Sequence, residues 1–247
     1  MISRRLVLFA LVTQLLFVET ARADPFEFKT AHKPSPQWFA LEFKFGPYKP
    51  DVDSEFGGSG GPYKDIFGTK LRLMSQFTFD VQFLKKHGTL GVGGTFGYFQ
   101  AKGKALLESG EPSGDDTTFN IMPFILQLVY RWDYTFKKWN IPLVPYIRAG
   151  FVYAFYWITD GNGDTAHFGA QGGKAHGGVW GYQINIGLAF VLDVLEPSAA
   201  KRMDTELGIN HTYLFCEFVH SGLDDFGGDR IRLGMKYSLL AGLTMEF

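Results

Sequence analysis

A serine, two histidines and an aspartate near the carboxyl-terminal end of the sequence are the residues whose types are best suited to catalysis. His211, His220, Ser221 and Asp224 are the residue types of a hydrolase, in which nucleophile and base must lie within hydrogen-bond reach. His220 and Ser221 are adjacent, and adjacent residues on a β-strand point to opposite faces. His211 belongs at the other end of the same segment. We therefore predict no catalytic residue.

A second candidate site is the segment 160–164, in which Asp, Asn and Asp alternate with glycine, as the oxygen donors of a calcium loop do. The full pattern requires Gly at the sixth position and Glu at the twelfth, where this chain has Thr165 and Gln171. His167 and His176 do not have the spacing of a zinc site. The segment is more typical of a polar turn, and we predict no metal ion and no cofactor.

The first segment of the chain has the features of an export signal, and the strands that would position a functional site follow it. Arg4 and Arg5 precede an apolar run of about 13 residues, and a short Ala-Arg-Ala motif ends at Ala23. This order predicts a secretory signal peptide over residues 1–23, with cleavage after Ala23. The alternative is a transmembrane anchor, but a membrane-spanning helix needs about 20 apolar residues.

Composition narrows the class of the remaining chain. We interpret 24–37 as a periplasmic lead-in and 38–247 as one all-β domain. The net charge of −1 gives no basic surface for nucleic acid. The single cysteine, Cys216, excludes an internal disulfide. An exported chain with 30 glycines, 25 phenylalanines and no spanning helix after residue 23 is typical of bacterial outer-membrane barrels.

Alternation of large apolar with small or polar residues predicts the strands. It is clearest from Trp180 to Leu192, a longer run than the 5–6 residues usual in soluble strands and long enough for the roughly 9–11 of a membrane-spanning strand. Pro123 weakens the start of the fourth strand, because it cannot donate a backbone hydrogen bond. The other seven predicted strands are Trp38–Gly46, Leu71–Phe83, Leu90–Tyr98, Asn120–Trp132, Leu143–Trp157, Ile209–Phe218 and Tyr237–Phe247.

The connections between these strands alternate in length. The predicted outer loops, which are long and rich in Gly and Asp, are 48–69, 101–118, 158–177 and 220–234. Segments 85–89 and 133–142 are shorter, and 193–208 is predicted to hold a short periplasmic helix, because Pro197 precedes it and Gly208 follows it. Long outer loops with short periplasmic turns are the signature of a transmembrane barrel, so we predict an eight-stranded antiparallel up-and-down transmembrane β-barrel.

The charged residues within the strands lie on the small-residue face. An eight-stranded barrel has an interior just wide enough for side chains, so glycines and small residues fit inside more easily than the large apolar face. Buried ions without partners would cost several kcal/mol each, so we expect internal pairs that close the lumen. The alternative is a lipocalin-like soluble barrel with the large apolar face inward. The predicted lumen charge network consists of Glu42, Lys44, Arg72, Asp80, Arg131, Arg148, Glu217 and Glu246.

Aromatic residues at strand ends favour the membrane alternative. Aromatic rings gather where hydrocarbon meets headgroups, since one edge is apolar and the other wet. Phe247, which ends an alternating strand, is predicted to be an assembly signal for the outer-membrane assembly machinery. The predicted aromatic girdle, at strand ends or in a turn, consists of Trp38, Trp132, Trp139, Trp157 and Trp180.

The segment 201–217, which contains Leu207-Gly208-Ile209-Asn210-His211-Thr212-Tyr213, resembles a family of outer-membrane β-barrel proteins from myxobacteria and related lineages. Pro62-Tyr63 with Ile66-Phe67-Gly68, and Leu90-Gly91-Val92-Gly93 with Gly97-Tyr98, are similar to further landmarks of that family. The resemblance covers most of the chain after residue 23. It implies a small barrel in the outer membrane, and it implies no catalytic residue.

The sequence therefore predicts a monomeric barrel of the cell outer membrane with a structural or recognition role through exposed outer loops. Its expected partners are outer-membrane lipid, lipopolysaccharide and the assembly machinery. Acidic residues of the first and last outer loops could bind divalent ions shared with lipopolysaccharide. Two alternatives stay open: a narrow channel or transporter for a small solute, with the lumen or an opening toward the bilayer as its path, and a lipid A-modifying enzyme.

Overall fold

Backbone pairing between the first and last strands closes the sheet of this protein into a barrel. The computed structural model describes residues 35–56, 61–106, 111–168, 173–228 and 230–247, so the predicted signal peptide and all but the end of the lead-in lie outside the described residues. The strands are β1 (Phe39–Tyr48), β2 (Arg72–Leu84), β3 (Thr89–Leu106), β4 (Pro112–Arg131), β5 (Leu143–Thr159), β6 (His167–Phe168), β7 (Gly173–Lys174), β8 (His176–Val191), β9 (His211–Leu223) and β10 (Met235–Glu246).

The barrel has the strand order β1-β10-β9-β8-β5-β4-β3-β2, and all neighbours are antiparallel. Strands β6 and β7, which lie between β5 and β8 in the sequence, form a separate two-stranded antiparallel sheet. The predicted eight-stranded antiparallel up-and-down barrel is therefore confirmed. We call the end that carries Phe39 and Glu246 the terminal end, and the opposite end the loop end.

Several strands extend further toward the loop end than their sequence pattern predicts. Strand β3 continues to Leu106 instead of ending at Tyr98, and β4 begins at Pro112 instead of Asn120. Their pairing persists through these extensions, for example between Lys102 and Thr118. The outward side chains there are mostly polar and several inward ones are apolar, so the polarity of the two faces reverses while the hydrogen-bonded ladder continues.

The sequence predicted that Pro123 lies near the start of the fourth strand. In the structure it lies in the middle of β4. The β3–β4 register pairs Phe96 with Phe124 and resumes at Phe99 with Ile121, leaving Pro123 unpaired on that side. Its ring occupies space next to Gly97, where an added Cβ would lie 2.9 Å from the Cγ atom of Pro123. The proline is accommodated because the ladder on one side opens for a few residues.

The outer surface of the barrel carries a continuous apolar band. On β4 the outward side chains from Met122 to Trp132 are apolar or aromatic, and toward the loop end they give way to polar residues. Leu126 in the middle of this run is 66% exposed, and Phe151 on the neighbouring β5 is 64% exposed. The run on β4 has the length that a tilted strand needs to cross a bilayer, about 9–11 residues.

The interior has two different halves. At the terminal end it contains charged and amide side chains with glycines between them. At the loop end it is filled by large apolar residues such as Phe99, Phe119 and Ile121. The sequence predicted a small and polar inward face throughout, and this is wrong for the loop-end half, where inward positions of the strand extensions are apolar.

Short helices lie at both ends of the barrel. A 3₁₀ turn (Val52–Phe56) and helix α1 (Pro62–Phe67) follow β1, and helix α2 (Tyr134–Trp139) joins β4 to β5. A 3₁₀ turn (Leu192–Val194) and helix α3 (Pro197–Leu207) join β8 to β9, which confirms the predicted helix between Pro197 and Gly208. Within the part of the chain that the structure describes, no helix has the length and apolar character to cross a membrane.

Candidate functional site

Seven charged side chains from six strands meet inside the terminal half of the barrel, and we call them the ionic layer. Alternation on each strand turns them inward, and all are buried. Strand β1 contributes two of these side chains, and β2, β4, β5, β9 and β10 contribute one each. The ionic layer consists of Glu42, Lys44, Asp80, Arg131, Arg148, Glu217 and Glu246.

Arg131 links three carboxylates that belong to different strands. Its Nη1 lies 2.6 Å from Oε1 of Glu246, and its Nη2 lies 2.6 Å from Oε1 of Glu42. The same Nη2 is 3.3 Å from Oδ2 of Asp80. One guanidinium therefore connects β4 with β10, β1 and β2 across the lumen, a geometry that suits the planar donor fork of arginine.

Arg148 extends the ionic layer to the opposite wall. It donates from Nη2 to Oε1 of Glu42 and from Nη1 to Oδ2 of Asp80, the latter over 2.9 Å. Its Nε lies 4.0 Å from Oε2 of Glu217. Glu217 also accepts a 2.8 Å bond from Nζ of Lys44. The two arginines thus share Glu42 and Asp80, and Lys44 completes the circuit through Glu217.

Neutral side chains also donate hydrogen bonds to two carboxylates of the ionic layer, Glu217 and Glu246. Tyr146 and Asn185 donate to Glu217 over 3.0 and 2.9 Å. Tyr213 and Gln82 donate to Glu246, each over 2.8 Å. Sequence reasoning did not assign these four residues a role, although each is a large polar residue on the inward face, and that placement was the available signal.

Two glycines make room for the ionic layer. A Cβ added at Gly93 would lie 1.9 Å from Oδ1 of Asp80, and one at Gly187 would lie 2.3 Å from Cζ of Tyr146. Glycine at these inward positions therefore lets a large polar side chain from the neighbouring strand lie flat across the wall.

Arg72 does not belong to the ionic layer, contrary to the sequence prediction. It begins β2 at the loop end, where its Nη2 donates to the carbonyl oxygens of Phe67 and Lys102 over 2.9 and 2.6 Å. Alternation places it on the inward face but not at the level of the other charges. The ionic layer consequently has four carboxylates and three cations, and Oε2 of Glu42 and Oδ1 of Asp80 have no hydrogen-bond partner among the described residues.

An apolar cluster, which we call the loop-end cap, fills the other half of the barrel. Residues of the first loop enter it: Tyr63 and Phe67 of α1 contact Phe119 of β4, with ring centroids 6.1 and 5.8 Å apart. Burial raises the pKa of Tyr63 to about 12. The loop-end cap consists of Tyr48, Val52, Tyr63, Phe67, Met74, Phe99, Ala101, Phe119, Ile121, Ile125, Val152, Ala154, Val179, Leu223 and Leu233.

The sequence predicted exposed outer loops, but the first and last of them are only partly exposed. Val52, Tyr63 and Phe67 of the first loop and Leu233 of the last are buried in the loop-end cap. Tyr48, the last residue of β1, donates from its hydroxyl to the carbonyl oxygen of Leu233, which ties the end of β1 to the last loop. These apolar residues pack because the barrel mouth offers them a surface away from water.

A small cavity lies between the ionic layer and the loop-end cap. Its volume is about 30 Å³, and its lining is mostly apolar, with Gln76, Gln183 and Ser221 as polar members. Oε1 of Gln76 and Nε2 of Gln183 have no hydrogen-bond partner among the described residues. A space of this size is sufficient for one or two water molecules.

The hydrolase-like residues do not form a triad. Ser221 is buried and its hydroxyl accepts a 3.1 Å bond from the backbone of Met235, whereas the His220 ring contacts Tyr182 on the outer face. His211 lies at the terminal end of β9 and bonds to Asp193 over 2.6 Å. The nucleophile and base geometry of a hydrolase is therefore not assembled by these residues.

The carboxylate of Asp160 stabilises a turn in the segment 160–164. Oδ1 of Asp160 accepts bonds from the backbone nitrogens of Asn162 and Asp164, both over 3.0 Å. In the described ranges of the chain, no group of three or more His, Cys, Asp or Glu side chains could hold a metal ion.

The five tryptophans occupy three kinds of position. Trp38, Trp132 and Trp139 lie at the terminal end and are exposed, and Trp180 is exposed near the start of β8, against the Tyr153 ring. Trp157 is half-buried and pairs with His176, four residues further toward the loop end than the Tyr153–Trp180 pair. The two loop-end tryptophans therefore do not share one level.

Phe247 lies at the junction that closes the barrel. Its ring stacks on that of Phe39, with centroids 4.9 Å apart, and its backbone nitrogen donates to the Phe39 carbonyl over 2.8 Å.

No protein-family model matches the chain, and no curated protein sequence is similar to it. Among solved structures, Ail, the attachment invasion locus protein of Yersinia pestis, is 13% identical with a TM-score of 0.42 over 87% of this chain and 100% of that chain. Neisserial surface protein A is 10% identical with a TM-score of 0.44 over 87% and 100%. The outer membrane protein OprG of Pseudomonas aeruginosa is 11% identical with a TM-score of 0.46 over 87% and 97%. At such low identity, the function of this chain must be argued from its own residues.

Proposed function

We propose that this chain is an integral outer-membrane barrel with a closed lumen, and that it acts as a structural or surface-recognition protein through its loop end. The observation that carries the proposal is the reversed polarity of the barrel. Large apolar side chains such as Leu126, Phe151 and Ile186 are exposed around the wall, while the ionic layer is buried inside. In water, such a band would be an apolar patch far larger than soluble monomers expose.

A closed lumen follows from the two interior halves. The ionic layer crosses the terminal half with bonds between opposite walls, and the loop-end cap fills the other half with apolar side chains. An ion crossing the barrel would have to break buried ion pairs and then enter an apolar region, and both steps carry a large free-energy cost.

The orientation and partners belong to the same proposal. The terminal end faces the periplasm and the loop end faces the exterior, as long outer loops and short periplasmic turns would place them. Export by the signal peptide, contact with lipopolysaccharide, a monomeric state and the myxobacterial lineage are predictions from the sequence that accompany it.

Membrane fractionation with heat-modifiable gel mobility tests the location. We expect the protein in the outer-membrane fraction, with a faster-migrating band in unheated samples. Recovery of a compact monomer from the aqueous phase without detergent would contradict the proposal.

A narrow channel or transporter is the second candidate function. It is favoured by the cavity between the interior halves and by incomplete pairing between the first and last strands of the barrel. Strands β1 and β10 are paired only as far as Phe45 with Ala241, although β1 continues to Tyr48. Single-channel recording separates the candidates: the closed-lumen barrel gives no steady open-state current, whereas large steady currents from purified protein would establish conduction.

A lipid A-modifying activity is the third candidate and has the least support. Ser221 faces inward and His220 outward, on the same strand. Mass spectra of lipid A from cells with and without the protein would show the same acyl pattern if the activity is absent, and an altered pattern if it is present.

A further inference from the structure

Two neighbouring turns at the terminal end of the barrel concentrate lysine side chains. The β2–β3 turn carries Lys85 and Lys86, and helix α2 carries Lys137 and Lys138 in its last turn. The turns are adjacent because β3 pairs with β4, and the hydroxyl of Tyr130, near the end of β4, donates to the carbonyl oxygen of residue 87 in the β2–β3 turn over 2.9 Å.

Part of this positive charge is not neutralised by the protein. Lys137 pairs with Asp133, with Nζ 2.5 Å from Oδ2, and Asp133 also accepts a bond from Thr89. Lys86 and Lys138 are exposed, and neither forms an ion pair within the described part of the chain. These two cations remain available to an external anion.

Aromatic rings hold Lys138 beside the apolar band. Nζ of Lys138 lies 5.1 Å from the centroid of the Tyr134 ring, and the His87 ring lies 6.5 Å from it. The Tyr134 ring contacts Trp139, which in turn contacts Trp132 with centroids 6.3 Å apart. Cations over aromatic faces and exposed rings at one level are the arrangement expected at a membrane interface.

A groove on the outer wall begins at this cluster. It has a volume of about 440 Å³ and is lined by Tyr130, Trp132, Pro145, Tyr146, Ile147, Ile186 and Gly187. Ile186 is 61% exposed beside it, within the apolar band. Because Trp132 belongs both to the groove and to the aromatic cluster, the apolar groove is continuous with the basic surface.

We propose that this surface binds an anionic diacyl phospholipid, with its phosphate between Lys86 and Lys138 and one acyl chain in the groove. The inference rests on the proposed membrane location, and it identifies the lipid that the terminal end selects. An anionic headgroup matches the surplus of cations. A soluble anion would leave the groove empty, so a lipid accounts for both features.

Competition between phosphatidylglycerol and phosphatidylethanolamine with the same acyl chains tests the inference, read by native mass spectrometry of the purified protein. Each lysine near an anionic lipid surface contributes about a fivefold preference. We expect the wild type to retain phosphatidylglycerol preferentially, and the double variant Lys86→Glu with Lys138→Glu to lose that preference. Ile147→Ala with Ile186→Ala should lower retention of both lipids equally.

Lys64→Glu with Lys70→Glu, which reverses two exposed lysines of the first loop, is the matched control and should keep the wild-type preference. If the charge-reversed protein does not fold, Lys86→Gln with Lys138→Gln removes the charges with less change in shape. Equal retention of the two lipids by a wild type with normal heat-modifiable mobility would overturn the inference but not the proposed function. Preferential binding of an acidic peptidoglycan fragment, with lipid retention unaffected by the lysine changes, would also overturn it.

Discussion

At the scale of single residues, the interior is specified by glycine as much as by charge. Gly93 and Gly94 are adjacent on β3, but only Gly93 faces the ionic layer, where an added Cβ would meet Oδ1 of Asp80. At Gly94 the nearest atom to an added Cβ is a backbone oxygen 4.0 Å away. The same substitution should therefore have different effects at neighbouring positions.

We expect Gly93→Ala to lower the free energy of unfolding by about 1–3 kcal/mol, because the methyl group displaces a carboxylate that two arginines share. Gly94→Ala should leave it unchanged. Urea unfolding in lipid vesicles measures both, and equal effects of the two variants would show that Asp80 is not packed against Gly93.

Arg148 tests the pairing inside the ionic layer. Replacing it by alanine leaves Glu42 and Asp80 with fewer cations in a buried site, which should cost about 3–5 kcal/mol of unfolding free energy. Arg72→Ala is the matched arginine control, since Arg72 bonds only to backbone carbonyls at the loop end. Asp164→Ala in an exposed turn should have no measurable effect, and a similar loss in all three proteins would contradict the ionic layer.

At the scale of strands, the sequence predicted the apolar band more accurately than the strands themselves. On β3 the predicted run from Leu90 to Tyr98 covers the residues whose outward side chains are apolar, and Gln100 and Lys102 follow. The predicted pattern requires large apolar residues on the outward face and small or polar residues on the inward face. Beyond Tyr98 the pairing continues, but the outward residues are polar and Phe99 is buried inside, so the polarity of the two faces reverses and the predicted run ends.

Leu126 lies at the middle of the band on β4, and its replacement tests which side faces lipid. Leu126→Arg should cost about 2–4 kcal/mol of unfolding free energy in a bilayer. Gln100→Arg, an exposed position on the neighbouring β3 beyond the band, should be tolerated. Denaturant titration in vesicles measures both variants, and tolerance of arginine at Leu126 would contradict the face assignment.

The loop-end cap depends on α1, and its removal should act locally. Phe67→Ala removes a ring that packs on Phe119, so we expect faster limited proteolysis of the first loop, while the barrel keeps its heat-modifiable mobility. Phe56→Ala is the control, because Phe56 belongs to the same loop and is exposed. Unchanged proteolysis of Phe67→Ala would show that the loop is held by other contacts.

At the scale of the whole molecule, the sequence predicts which face of the wall a side chain lies on but not its height along the barrel axis, which we call its level. Alternation within a strand gives the face, and seven of the eight predicted lumen charges meet in one layer. The level depends on strand register and barrel tilt, which alternation does not contain, so alternation alone groups Arg72 with charges that it does not contact. Burial of Tyr63 and Phe67 was unpredictable for a related reason, since a loop sequence does not reveal the surface on which it packs.

In the proposed closed barrel, the two interior halves act as two separate barriers. The ionic layer joins opposite walls near the terminal end, and the loop-end cap ties the first and last loops to the mouth. Surface recognition would then involve the exposed remainder of the loops, while the lipid-binding surface lies at the opposite end of the barrel.

The central claim is that the wall of the barrel faces lipid, and the single cysteine tests it without any substitution. Cys216 is exposed on the outer face of β9, between Leu214 and Phe218. A nitroxide attached to Cys216 before refolding into phospholipid vesicles should collide with oxygen and be shielded from a water-soluble nickel chelate. Free access of the chelate to this label, in protein whose gel mobility shows a folded barrel, would contradict the account.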